Sequence, residues 1–274
     1  MTTLKFGDDT TQDDFVAAIN NHPNPEEITS VTITQSQIVS IGHLRHLVNL
    51  QKLTLIDIWI PDVGCLVNLR QLVVVNDVCV DLECIGYLVN LRELSIRDTQ
   101  ISNIQPLGKL LNLVKLDLTG NQISDLRPLS SLENLVALDL WENNISDLGP
   151  IRSLVKLQSL DIGFNPISDL GSISSLVKLQ ELILFRNPIS DLSPISYLTN
   201  IRKFILHDIS ISDFTALKYS YKISDLKLGD STLNTSILLT IRGNKCQSIL
   251  LESILPRNYK CPLSNLREFG ILGL

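Results

Sequence analysis

Leucine returns on a fixed schedule in this chain. A block reading LxxLxxLxL, then xxNxISDLxPLxS, comes back every 22 residues, and its clearest copies open at Leu88, Leu110, Leu132, Leu154, Leu176 and Leu198. In the copy from Leu110, Leu110, Leu113, Leu116 and Leu118 carry the first half, and Asn121, Ile123, Leu126 and Leu129 the second. A unit this short cannot bury its own apolar face. Stacked copies can, so the period specifies a solenoid in which each turn packs only on its neighbours.

Within a unit, LxxLxL reads as a short strand with leucines pointing inward at alternate positions. Parallel neighbours must be joined by a crossover. Pro106, Pro128, Pro150 and Pro194 recur in that connecting segment, where a fixed φ and no N–H predict an extended or single-turn 3₁₀ path. Asn121, Asn143, Asn165 and Asn187 form a column whose inward amides are suited to satisfy buried turn groups. The Ser-Asp pairs 124–125, 146–147, 168–169, 190–191 and 212–213 read as local turn chemistry. They lack the glycine-rich nonapeptide pattern of a calcium-binding roll.

The register has irregular ends. A first repeat opens at Pro25 with Ile28, Val31, Ile33, Ile38 and Ile41; the next, from Leu47, is three residues short, with the deletion at Val63–Leu66. After Leu198 the pattern decays through Ile223, Leu226 and Leu228, then Cys246, Ile249 and Leu251, then Leu263, Leu266, Phe269 and Ile271. The expected organisation is one continuous domain: an N-terminal helical cap at 1–24, repeats at 25–242, and degenerate repeats or a C-terminal cap at 243–274. Thr11 is placed to cap a helix whose Phe15, Val16 and Ile19 cover the first turn. The apolar end Phe269–Leu274 either folds back as an irregular cap, makes a dimer contact or marks a truncation; a monomer is favoured.

A net charge of −6 and a pI near 5.2 argue against a nucleic-acid surface, which needs a basic stripe. The first 30 residues carry Asp8, Asp9, Asp13, Asp14, Glu26 and Glu27 and no apolar signal region, and no stretch has membrane-spanning length. A cytoplasmic or also nuclear location is the expectation. Five cysteines, an odd number, fit reduced thiols. Cys65 and Cys84, equivalent in consecutive repeats, read as small buried hydrophobes rather than a disulfide. His22, His43, His46 and His207 are scattered, and HExxH, GxGxxG, GxxxxGK[ST] and GxSxG are absent. No catalytic group, cofactor or metal is expected.

The concave face remains. Strand positions alternating with the leucines form columns: one runs Thr32, Thr54, Val73, Ser95, Asp117, Asp139, Asp161, Ile183, Ile205; the next runs Thr34, Ile56, Val75, Arg97, Thr119, Trp141, Gly163, Phe185, His207. Beside them lie Asp57, Asn76, Asp98, Gly120, Glu142, Phe164, Arg186, Asp208 and Asp230. Asp117, Asp139 and Asp161 stack about 5 Å apart, with Trp141, Phe164 and Phe185 exposed in the same turns. Aromatic anchors beside charge are what a protein-binding surface concentrates. The expected contact set is Asp117, Asp139, Trp141, Glu142, Asp161, Phe164, Phe185, Arg186, His207 and Asp208, facing a partner with basic residues. Trp141→Ala and Asp139→Lys are both expected to leave the fold intact, as outward-facing positions. A second, apolar patch is Ile56, Val73 and Val75.

The repeats, as in NLVKLDLTGNQISDLRPLSSL at 112–132, resemble the 22-residue leucine-rich class, which includes the leucine-rich regulatory subunit of protein phosphatase-1 and the bacterial internalins. That resemblance implies an α/β repeat solenoid, a leucine-rich-repeat arc with a parallel sheet on the concave face and short 3₁₀ or extended segments on the convex face. The phosphatase subunit grips its catalytic partner through acidic and aromatic concave residues, and Asp139 and Trp141, with Asp117, Asp161, Phe164 and Phe185, are similar. An internalin would instead be an exported binder of a host protein. A self-associating structural protein is the third reading.

Overall fold

The computed structural model describes residues 2–58, 63–76, 81–206, 211, 213–219, 222–228 and 248–251. A single 12-stranded parallel sheet runs through it, with strands in chain order: β1 (Thr2–Phe6), β2 (Ile28–Thr34), β3 (Lys52–Ile56), β4 (Gln71–Val75), β5 (Glu93–Arg97), β6 (Lys115–Asp117), β7 (Ala137–Asp139), β8 (Ser159–Asp161), β9 (Glu181–Ile183), β10 (Lys203–Leu206), β11 (Asp225–Leu228) and β12 (Ser248–Leu251). The repeat leucines set the register. Leu53, Leu72, Leu94, Leu116, Leu138, Leu160 and Leu182 face one another across successive strands and are buried in one continuous core. The short repeat keeps step, because Leu53 still pairs with Leu72 and the loss falls in the connecting segment, where Val63 and Leu66 remain buried.

The connecting segments are five-residue 3₁₀ helices at Gln105–Lys109, Arg127–Ser131, Gly149–Ser153, Gly171–Ser175 and Ser193–Tyr197, and four of these five carry proline in their first turn. The Ser-Asp column starts them: Oδ1 of Asp125, Asp147, Asp169, Asp191 and Asp213 accepts the N–H of Arg127, Gly149, Gly171, Ser193 and Thr215 at 2.7–2.9 Å. One connection is instead a short α-helix, Leu82–Ile85, capped by Asp81.

Behind each strand exit sits the asparagine column. Asn143 Nδ2 donates to Leu140 O (3.1 Å) and to Leu118 O of the preceding turn (3.0 Å), while its Oδ1 accepts Ile123 N (3.0 Å). Asn121, Asn165 and Asn187 repeat this reach into the preceding turn. Four buried amides thereby satisfy backbone groups that no sheet partner meets.

At the N-terminal end, helix α1 (Gln12–Asn20) is capped by Thr11, whose hydroxyl accepts Asp14 N while the Asp14 carboxylate returns to Thr11 N. Phe15 and Ile19 are its buried face. The cap holds more than a helix: β1 extends the sheet, pairing with β2, and the Phe6 ring stands edge-on to Phe15 at 5.0 Å. Cys65 is exposed and Cys84 half-buried, so neither is the buried hydrophobe expected; Cys84 Sγ donates to Asp81 Oδ2 (3.0 Å). At the other end β12 pairs with β11, and Leu263–Leu274 lies outside the described residues. Among the described residues no helix is long and apolar enough to cross a membrane.

Candidate functional site

Asp117, Asp139 and Asp161 do face one another on β6, β7 and β8, but they are enclosed, with only 3, 9 and 8% of their surface exposed. The expectation of solvated carboxylates on an open face is therefore wrong. The aspartates stand between the column of Lys115, Ala137 and Ser159 and that of Thr119, Trp141 and Gly163, at close strand spacing, and the Trp141 side carries the aromatic row. Each carboxylate turns along its own strand: Oδ1 accepts Thr119 N (3.0 Å), Trp141 N (3.0 Å) and Gly163 N (2.9 Å) respectively.

The three differ in compensation. Asp117 accepts the Ser95 hydroxyl (3.1 Å) and has Arg97 Nε at 3.5 Å. Among the described residues no cation lies within ion-pair distance of Asp139 or Asp161. Burial, then the charges of Asp161 and Asp117, push Asp139 well above the carboxylate range. Burial raises Asp161 to about 7, opposed by the Gly163 N–H and reinforced by Asp117. Lysine at position 139 would occupy this enclosed column, so Asp139→Lys is not the surface probe that the sequence suggested.

Over the aspartates lies a row of rings. Trp141 meets Phe164 edge-on at 5.3 Å, and Phe164 meets Phe185 at 5.4 Å. The Arg186 guanidinium sits 4.7 Å from the Phe164 ring and 5.1 Å from that of Phe185, within cation–π range. Trp141 and Phe164 are half-buried, Glu142 and Arg186 exposed, and Phe185 only 8% exposed. Phe185 is thus more a support for the row than a contact surface. Gly163 makes the row possible: a Cβ there would stand 2.8 Å from Trp141 Cδ1 and 3.2 Å from Asp161 Oδ1. Sequence columns identified neither this glycine nor the Arg97–Asp117 pairing, which is diagonal.

The third column has a conformational origin. Gln35, Asp57, Asn76, Asp98, Glu142, Phe164 and Arg186 have φ between 43° and 58°, and Gly120 has 69°. Here the chain leaves the strand while its N–H still bonds the next turn, as in Asp98 N to Thr119 O and Phe164 N to Phe185 O. Asp, Asn and Gly suit this left-handed position. Phe164 and Arg186 do not, and they occupy it side by side. His207 and Asp208 lie outside the described residues. The apolar patch is narrower than expected, since Val73 is buried and Ile56 and Val75 half-buried.

Comparison with known proteins fits this architecture. Residues 89–131 and 133–175 match the family described as Leucine Rich repeats (2 copies). The structure of internalin C2 of Listeria monocytogenes is 31% identical, with 70% of this chain and 76% of that one covered and a TM-score of 0.55. The chain is a leucine-rich-repeat protein of the internalin type. Another internalin of that organism, inlF, superposes with a TM-score of 0.76 at 25% identity, over 87% of this chain and 74% of that one. A leucine-rich-repeat protein of Leptospira interrogans shares the fold (TM-score 0.56, 19% identity, 92% and 78% covered). Among curated protein sequences none matches. Among the described residues of this leucine-rich-repeat protein, no group of three or more His, Cys, Asp or Glu is placed to hold a metal ion. What its concave face offers around the ring row is the exposed guanidinium of Arg186 and the exposed carboxylate of Glu142, which are means of recognition.

Proposed function

We propose that this leucine-rich-repeat protein is a recognition module that binds a protein partner on its concave face, through Trp141, Glu142, Phe164 and Arg186, with Phe185 as their support. The observation that carries this reading is the pair Phe164 and Arg186. Both hold a left-handed backbone that costs a bulky residue about 1 kcal/mol or more, at a position filled by Asp57, Asn76, Asp98 and Gly120 in earlier turns and by Glu142 in the turn before Phe164. The ring and guanidinium contacts they make with one another return no more than about that cost, whereas a contact surface uses their bulk directly.

Likeness to internalins supports a binder of the internalin kind, a bacterial protein recognising a host protein. The phosphatase-regulatory reading needs acidic side chains at the surface. With Asp117, Asp139 and Asp161 enclosed, it keeps Trp141 and Phe164 and the neighbouring Glu142 in its support, and we rank it second.

Affinity capture from cell lysates, with Arg186→Asn and Trp141→Ala beside the wild type, tests the site. Arg186→Asn exchanges a stack worth about 1 kcal/mol for a residue suited to positive φ, so its melting curve should match the wild type. A partner held by the wild type and lost from both variants is the expected result. The same partners retained by both variants would exclude the ring row as the binding site.

A further inference from the structure

A groove of about 440 Å³ runs along the sheet edge where β3 to β6 begin, at the opposite end of the strands from the ring row. Arg70 and Arg92 line it, on adjacent turns joined by the Arg92 N to Arg70 O bond (2.8 Å). Both side chains are exposed, and among the described residues no carboxylate lies within ion-pair distance of either. The rest of the lining is neutral: Val48, Gln51 and the asparagines 49, 68, 90 and 112. In a chain of net charge −6, the lining of this groove carries two cations and no anion.

The next column shows how these turns treat charge when nothing external is involved. Glu93 pairs with Lys115 (3.4 Å) and Glu181 with Lys203 (3.8 Å), opposite signs on adjacent strands. Two arginines in one column do the reverse, and like charges on adjacent strands are destabilising. The asparagines are fixed, with Nδ2 of Asn49, Asn68, Asn90 and Asn112 donating to the carbonyls of Glu26, Val48, Val67 and Val89 at 2.8–3.2 Å. Beside them Val48, Val67, Val89 and Leu111 form an apolar ridge, 48–60% exposed. A smaller groove of about 220 Å³ on the same edge repeats the chemistry, with Lys178, Arg202 and three uncharged amides as its lining.

We propose that this edge groove binds an extended acidic segment of another protein, holding a carboxylate between Arg70 and Arg92 and resting apolar side chains on Val48, Val67 and Val89. Paired guanidinium groups match a carboxylate through charge-assisted hydrogen bonds. A nucleic-acid strand fits poorly, because the lining has no aromatic side chain for a base to stack on. The site is independent of the concave one.

Fluorescence polarisation with a labelled peptide of alternating Glu and Val, about six residues long to span the four turns, tests the groove. The wild type should bind it saturably. Replacing Glu by Gln in the peptide, or introducing Arg70→Gln with Arg92→Gln, should weaken binding by about tenfold or more, with the protein's melting curve unchanged. Trp141→Ala should bind the peptide as the wild type does. No saturable binding, equal binding by the double variant or by the Gln peptide, or tighter binding of a single-stranded DNA of equal charge would each overturn the proposal.

Discussion

Replacing Asp139 and Asp161 together by asparagine removes two carboxylates that the fold encloses, while keeping an amide oxygen to accept Trp141 N and Gly163 N. The sign of the effect follows from proton linkage. Burial raises Asp161 from the ordinary 3.8 to about 7, so between those values the native state holds a proton that the unfolded chain has released. Stability contributed at low pH is therefore lost as pH rises through that window, and is constant on either side of it. At about 1.4 kcal/mol per pH unit, the loss at Asp161 is on the order of 4 kcal/mol, and Asp139, raised by burial and by Asp161 and Asp117, adds to it in the same direction. Urea unfolding followed by circular dichroism, at intervals from pH 4 to pH 8, reads this directly. The wild-type midpoint should fall across the interval, and the Asp139→Asn/Asp161→Asn variant should stay nearly level and be the more stable protein at pH 8. A wild-type midpoint that is flat or rises over the interval, or a variant less stable at pH 8, would refute the reasoning. Below pH 4 the trend reverses, because hydrogen bonds from Thr11, Arg127, Ser193 and Thr215 hold Asp14, Asp125, Asp191 and Asp213 below the ordinary range, and their contribution is lost as they are protonated.

Asn143→Ala should cost about 1–3 kcal/mol by urea denaturation, since it leaves Ile123 N buried without a partner, while Leu118 O keeps the Asn121 amide. Gly163→Ala should lower the melting temperature by an amount matching about 1–3 kcal/mol of overpacking, and should shift the tryptophan emission as the new methyl displaces the Trp141 ring. Thr11→Ala removes the hydroxyl half of the α1 cap, leaving the backbone N–H of residue 11 to the Asp14 carboxylate, and should cost about 1 kcal/mol; hydrogen exchange should show the gain in opening concentrated in residues 12–20.

The fold was legible because a 22-residue period leaves one way to bury leucine. The strands, the proline-started 3₁₀ turns, the Ser-Asp turns and the asparagine column all follow from what single residue types can do with backbone groups. β1 was missed because Leu4 and Phe6 carry its buried face without the repeat consensus, although Phe6 and Phe15 pack together. The concave columns were legible as columns but not as surfaces. Alternation says which side of a strand a residue occupies. It does not say that Trp141 will lie across Gly163, or that the row beside Asp139 will close over it. Nor did sequence show that Gln35, Asp57, Asn76, Asp98, Gly120, Glu142, Phe164 and Arg186 share a left-handed turn, a position that suits Phe164 and Arg186 least.

In both asparagine columns the side-chain N–H groups reach back to the preceding turn. Asn121, Asn143, Asn165 and Asn187 each complete hydrogen bonds in the turn before their own, and at the sheet edge Asn49, Asn68, Asn90, Asn112, Asn134 and Asn200 do the same. A turn emerging from the ribosome is thus left incomplete until its successor arrives, and never for longer. Along this stretch the unfinished backbone of a growing chain amounts to one turn, whatever the number already stacked. Such a molecule can be assembled in order, from its first turn, without holding a large unsatisfied surface open while it waits.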